Sequence, residues 1–202
     1  MRLFAQIISI LFHPLLITVY VYAVLIFFYP YADISNNQYK YAVLGLVFFG
    51  TCFVPAVSVL LMHQLGLVTE LTINDRSERG TPYLLTTIIY LFIYYTIFPK
   101  VGLAASLSFP LLVISLLIAF VAIVNFFWKI SAHAVAVGGL CGLTIWITYT
   151  SIESSILLVV GSFILAGSTM SARLILKAHT HLQVYTGFVV GLIASFFAYS
   201  FR

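Results

Sequence analysis

Apolar positions fall into seven long runs, at residues 3–29, 41–64, 83–98, 108–128, 133–150, 154–172 and 183–200. Runs of 16 or more apolar residues, divided by short polar stretches, predict helices that cross a bilayer. Breaks inside the pattern predict where the helices bend or begin. Pro14 follows His13 within the first run, so that helix kinks or restarts there, and residues 3–12 would lie at the membrane interface. Pro55 predicts a second kink. Thr81-Pro82 reads as an N-cap with proline at the first helical position, and Ser108 to Pro110 opens the fourth helix in the same way. Small residues recur every four positions at Ala134, Gly138 and Gly142, and again at Gly187, Gly191 and Ser195. Such rows let backbones approach closely in lipid, so segments five to seven are expected to form the tight centre of the bundle.

Composition adds the solvent. The chain is 63% hydrophobic and 7% charged, where soluble domains average about 25% charged residues. So few charges cannot cover a water-facing surface, and lipid is the solvent. The prediction is an all-α, polytopic membrane helix bundle of about seven (six to seven) transmembrane helices, forming a single domain over 1–202. The first run lacks a following small-residue cleavage site and reads as a retained helix. Cys52 and Cys141 lie inside apolar runs and suggest no disulfide framework. The net charge of +4 suits lipid headgroups or phosphate-bearing ligands, and suits a bacterial inner-membrane protein equally well. The expected partners are the bilayer and a lipid phosphate, with no nucleic acid.

The polar residues gather in three clusters: "ELTINDRSER" at 70–79, "KISAH" at 129–133 and "RLILKAHTHLQV" at 173–184. Two apolar segments separate each cluster from the next, so all three are expected at one face of the membrane. Five of the nine Lys and Arg residues lie there: Arg76, Arg79, Lys129, Arg173 and Lys177. Glu70, Asp75 and Glu78 leave that charge in surplus, and a phosphate would complement it through bidentate arginine. Ser131 can cap the fifth helix, with the N–H groups of Ala132 and His133 in its first turn facing an anion. His179 and Gln183 are four residues apart and are expected to share a helix face, where the amide would set the imidazole tautomer. An imidazole beside a phosphate is a nucleophile, and a second, His133, can protonate a leaving oxygen.

In this order the three stretches resemble the motifs of the type 2 phosphatidic acid phosphatase superfamily. The resemblance is carried by Arg-x2-Arg-x2-Pro at 76–82, Ser-Ala-His at 131–133 and Arg-x5-His-x3-Gln at 173–183, and it covers roughly residues 70–190. It implies a phosphatase-like helical core and a lipid phosphomonoesterase, or diphosphatase, that works without metal or cofactor through a phospho-histidine. His179 would be the nucleophile, His133 the general acid, and Gln183 would stand where the family's orienting aspartate does. Arg173, Arg79 and Ser131 match phosphate-binding positions. Arg76 stands in for the first-motif lysine, whose place Thr72 occupies. Ile130, Ala132 and Ala172 also depart from the pattern.

Other readings remain open at this level. The same intermediate could pass phosphate to a second hydroxyl, making a transferase. A chain that keeps the arginines without the orienting acid could be a silent lipid-phosphate binder or transporter. His179, His181 and His133 could form a metal site. Arg76 and Arg79 could anchor a loop to anionic lipid, and Lys129 could snorkel beside Trp128. His13 and His63 read as structural. Lys and Arg counts on the two faces do not decide orientation.

Overall fold

The computed structural model describes residues 1–29, 36–71, 73, 75–151 and 156–200. Thr72, Arg202 and the first residues of the sixth run, 154 and 155, lie outside them. The described residues are 84% helical, with no strand among them. Its helices are α1 Arg2–Leu11, α2 Pro14–Phe28, α3 Asn37–Gln64, α4 Ser77–Lys100, α5 Ala105–Asn125, α6 Ala132–Thr150, α7 Ile156–Ile175 and α8 His181–Ser200. The six from α3 to α8 are long and apolar enough to cross a membrane, and α1 with α2, bent by 54° at their junction, would make a seventh. The protein is an all-α membrane bundle.

Two compact units divide it, one of Met1–Pro30 with Ile130–Arg202, the other of Tyr31–Lys129. In the first unit α6 is the buried centre. Its neighbour α8 approaches so closely that a Cβ on Gly138 or Gly142 would strike the carbonyls of Phe188 or Leu192, and one on Gly191 that of Val135. The small-residue rows therefore interlock two helices, α6 and α8, and not three as expected. A Cβ on Gly161 or Gly167 of α7 would meet nothing within 4 Å. That helix meets α6 through a hydroxyl pair, Thr144 with Ser162 at 2.9 Å. Helix α1 packs on α7, with Ala5 and Ser9 as its buried residues.

In the second unit, the expected kink at Pro55 is a widened turn. Residues Phe49–Phe53 form a π-helical turn inside α3, and Ile93–Ile97 form another inside α4, each two residues before a proline. Proline has no N–H for the carbonyl one turn back. For Pro55 that carbonyl is Thr51 O, and the Tyr90 hydroxyl donates to it at 2.7 Å. A buried tyrosine thus satisfies an acceptor that lipid could not.

Helix starts lie earlier than the apolar runs suggested, because a first turn can be polar. Helix α3 begins at Asn37, capped by Asn36, whose side chain accepts from Gln38 N–H at 2.8 Å. Helix α4 begins at Ser77, where Asp75 Oδ1 accepts from the Ser77 N–H at 2.9 Å, so Thr81 is not the cap. Helix α5 begins at Ala105 without a side-chain cap and encloses Pro110.

Three helices end alike. After α3, α4 and α7 the chain makes paired reverse bonds, such as Leu67 N–H to Met62 O at 2.9 Å and Ala178 N–H to Arg173 O at 3.1 Å. This closure requires a left-handed residue just beyond the helix. Gly66 (φ 72°) and Gly102 (φ 66°) supply it twice; the third is Lys177 (φ 54°).

Candidate functional site

The last of those turns sets the geometry of the third cluster. Arg173 sits in the final turn of α7, and the reverse bond from Ala178 to its carbonyl folds the chain back on itself. His179 follows in the connecting turn, and α8 starts at His181. His179 therefore does not share a helix face with Gln183. It stands before the helix, and the contact between them arises from capping.

Gln183 Oε1 accepts from Thr180 N–H at 3.2 Å, while Gln183 N–H reaches back to Thr180 Oγ1 at 3.4 Å. This reciprocal pair is a capping box. The same Oε1 lies 3.1 Å from His179 Nδ1. A backbone N–H can only donate, so the atom facing it is the amide oxygen. Nδ1 of a neutral His179 must then carry the proton, and Nε2 is left with its lone pair. His179 is buried, with 9% of the residue's surface exposed.

Residues 131–133 of the second cluster come to the same place, while Lys129 belongs to the second unit. Ser131 is fully buried and caps α6, its side chain accepting from Ala134 N–H at 3.3 Å. Ser131 N–H donates to the Gln183 carbonyl at 3.4 Å, which ties the start of α6 to the first turn of α8. Ala132 and His133 occupy the first turn of α6.

Two residues set aside or missed in the sequence complete this group. His133 Nε2 lies 3.1 Å from the carbonyl oxygen of Ser9, and Arg173 Nη1 donates to Ser9 Oγ at 3.3 Å. The His13 ring stands edge-on to that of His133, centroids 5.2 Å apart. Ser9 gave no signal in the sequence, being one small polar residue in an apolar run. The break at His13-Pro14 was the available clue, since it ends α1 and leaves its last carbonyls without helical partners. His63, read as structural, has its Nδ1 3.0 Å from Val68 O, at the end of α3.

The first cluster belongs to the second unit. Arg79 is buried and donates from Nε to Ile73 O at 2.8 Å, bracing the loop before α4. Arg76 is exposed, and its carbonyl accepts from Asn125 Nδ2 at 2.9 Å. This joins the loop to the end of α5, four residues before Lys129. The Ser77 N–H and hydroxyl hold the Asp75 carboxyl below its usual range, and Lys129 and Arg76 act in the same direction. Glu78 Oε2 accepts from the Thr69 N–H and hydroxyl at 3.0 and 3.1 Å.

Among the described residues no group of three or more His, Cys, Asp or Glu side chains is arranged to hold a metal ion. His181 is exposed and stacks on Tyr185, centroids 6.2 Å apart. The first unit thus brings together Arg173, His179, Gln183, Ser131, His133, Ser9 and His13. Such a group can hold an oxyanion with arginine and helix N–H groups, attack with one imidazole and move a proton with another. In comparisons with known proteins, no family model, no curated protein and no solved structure matches this chain.

Proposed function

We propose that this protein is a membrane lipid phosphatase that cleaves a phosphomonoester or diphosphate through a phospho-histidine. The observation that carries the reading is the orientation of His179. Its Nδ1–H is spoken for by an amide oxygen whose own orientation is set by Thr180 N–H, so in the neutral ring Nε2 carries the lone pair that would attack phosphorus.

Arg173 would hold the phosphate, helped by the N–H groups of Ala132 and His133 at the start of α6, whose positive end favours an anion. Nε2 of His179 forms the N–P bond as the bond from phosphorus to the leaving oxygen breaks, and His133 gives that oxygen a proton. Water then attacks phosphorus, the N–P bond to His179 breaks, and the water gives its proton to His133. Inorganic phosphate leaves, and both imidazoles return to their starting states. Arg76, Arg79 and Lys129 enter this reading only through the order and resemblance of their motifs. The lipid bilayer and a lipid phosphate would be the partners, in a bacterial inner membrane.

The test is phosphate release by the purified full-length protein from a panel of phosphatidate, phosphatidylglycerophosphate, polyprenyl diphosphate and lipid A. Turnover is expected on at least one of these, with an acid-labile phosphoprotein trapped by rapid quenching, and both should vanish in His179→Ala. Turnover unchanged in His179→Ala would remove the nucleophile. If wild type turns over nothing and Gln183→Asp creates activity, the chain is a silent lipid-phosphate binder.

A further inference from the structure

Two of the histidines in the first unit, His179 and His133, each have one ring nitrogen held by a protein oxygen, and the two differ in which. His179 is held at Nδ1 by Gln183, and His133 at Nε2 by the carbonyl of Ser9. A carbonyl oxygen can only accept, so Nε2 of His133 carries a hydrogen whether the ring is neutral or charged. The acceptor is one of the last carbonyls of α1. His13 N–H bonds to Ile10 O at 3.2 Å and leaves Ser9 O without its helical donor. The C-terminal end of a helix carries partial negative charge, and here it faces both His133 and Arg173. The same residue's hydroxyl takes the Arg173 Nη1 bond.

We infer that Ser9, in the last turn of α1, is a positioning residue of the site. Its carbonyl holds His133 by Nε2–H, so that Nδ1 is the nitrogen that exchanges a proton with the substrate, and its hydroxyl sets the Arg173 guanidinium. This rests on the phosphatase reading and specifies it. The proton given to the leaving oxygen is the one on Nδ1 of a charged His133. The ring that remains keeps its Nε2–H on Ser9, and Nδ1 takes a proton back from the attacking water. Helix α1 would then belong to the catalytic apparatus, although it lies more than 120 residues from either histidine.

Two readouts test this on the full-length protein in lipid nanodiscs. The first needs no turnover: nitrogen NMR of chain labelled at histidine, recorded where imidazoles are neutral. The His133 signals are identified as those lost in His133→Gln. They are expected to report hydrogen on Nε2 and a bare Nδ1. A His133 with hydrogen on Nδ1 and a bare Nε2 overturns the inference. The second readout compares an alkyl lipid phosphate with an aryl phosphate, whose leaving group needs no proton. Ala5 is a buried residue of α1, 1% exposed and one turn before Ser9. Ala5→Leu is expected to push α1 away and to lower turnover of the alkyl ester roughly tenfold more than that of the aryl ester. Equal losses on both would mean that α1 is only structural. Ser9→Ala should raise KM about fivefold, the effect of losing one hydrogen bond, and Ser9→Thr should restore it. An unchanged KM in Ser9→Ala removes the hydroxyl's role. If wild type turns over neither ester, the phosphatase reading falls, and the spectrum still decides whether Ser9 holds Nε2.

Discussion

At the scale of single residues, one amide does two jobs. Gln183 closes the capping box of α8 and fixes the tautomer of His179 with one oxygen. A carboxylate in its place would also stabilise the charge that grows on the ring as the N–P bond forms. Gln183→Leu is expected to cost at least roughly tenfold in turnover, and Gln183→Glu to be tolerated or faster. Turnover of both variants beside wild type, on the best lipid phosphate found, measures this; a Leu variant that matches wild type would show that Gln183 does not orient the ring. Activity should also persist in EDTA, since arginine, helix N–H groups and imidazole supply the chemistry proposed, and loss in chelator with recovery on zinc would point to a metal. Lys177 is the other residue whose place explains its effect. It holds a left-handed conformation that glycine takes at the two equivalent helix ends. Lys177→Gly should raise stability by about 1 kcal/mol, read as a higher melting temperature in detergent.

Among the elements, the contact of α6 with α8 leaves no room for side chains at four glycines, Gly138, Gly142, Gly187 and Gly191, while two glycines of α7 face open space. Gly191→Val should lower stability by about 1–3 kcal/mol through forced separation of the helices. Gly161→Ala should leave it unchanged or higher. Thermal unfolding of both in one detergent tests the contrast, and equal losses would contradict it. In the second unit the Tyr90 hydroxyl bonds the carbonyl that Pro55 cannot serve. Tyr90→Phe is expected to cost about 0.6 kcal/mol, the mean for such bonds within membranes. The loss should shrink when Pro55→Ala restores an N–H to Thr51 O, a coupling that a double-mutant cycle reads directly.

For the molecule as a whole, two helices lie between the first and second clusters, α4 and α5, and two between the second and third, α6 and α7. Single cysteines at Glu78, Lys129 and Lys177, in a chain lacking Cys52 and Cys141, should therefore label from one side of the membrane. Labelling of position 129 from the side opposite to position 78 would break the shared-face arrangement.

The sequence by itself determined the class of solvent, the number of spans and most of the helix positions. It could do so because burial in lipid acts on every residue of a span at once, and a run of apolar residues reports it without knowledge of neighbours. It also marked out the three polar clusters along the chain and proposed the partnership of His179 with Gln183, although on the wrong grounds. Spacing suggested a shared helix face, whereas the turn after α7 and the capping box make the contact. Other features are pairwise and distant in the chain, so only the tertiary structure decided them. Ser9 meets His133 across 124 positions, and Tyr90 reaches Thr51 across 39. Each contact satisfies a carbonyl left open by a proline or a helix end, and in an apolar medium such an acceptor must find a donor somewhere. Local pattern shows that the acceptor is open. Which donor reaches it depends on how the helices pack, and glycine rows at α6 and α8 show only in three dimensions which pair of helices they lock.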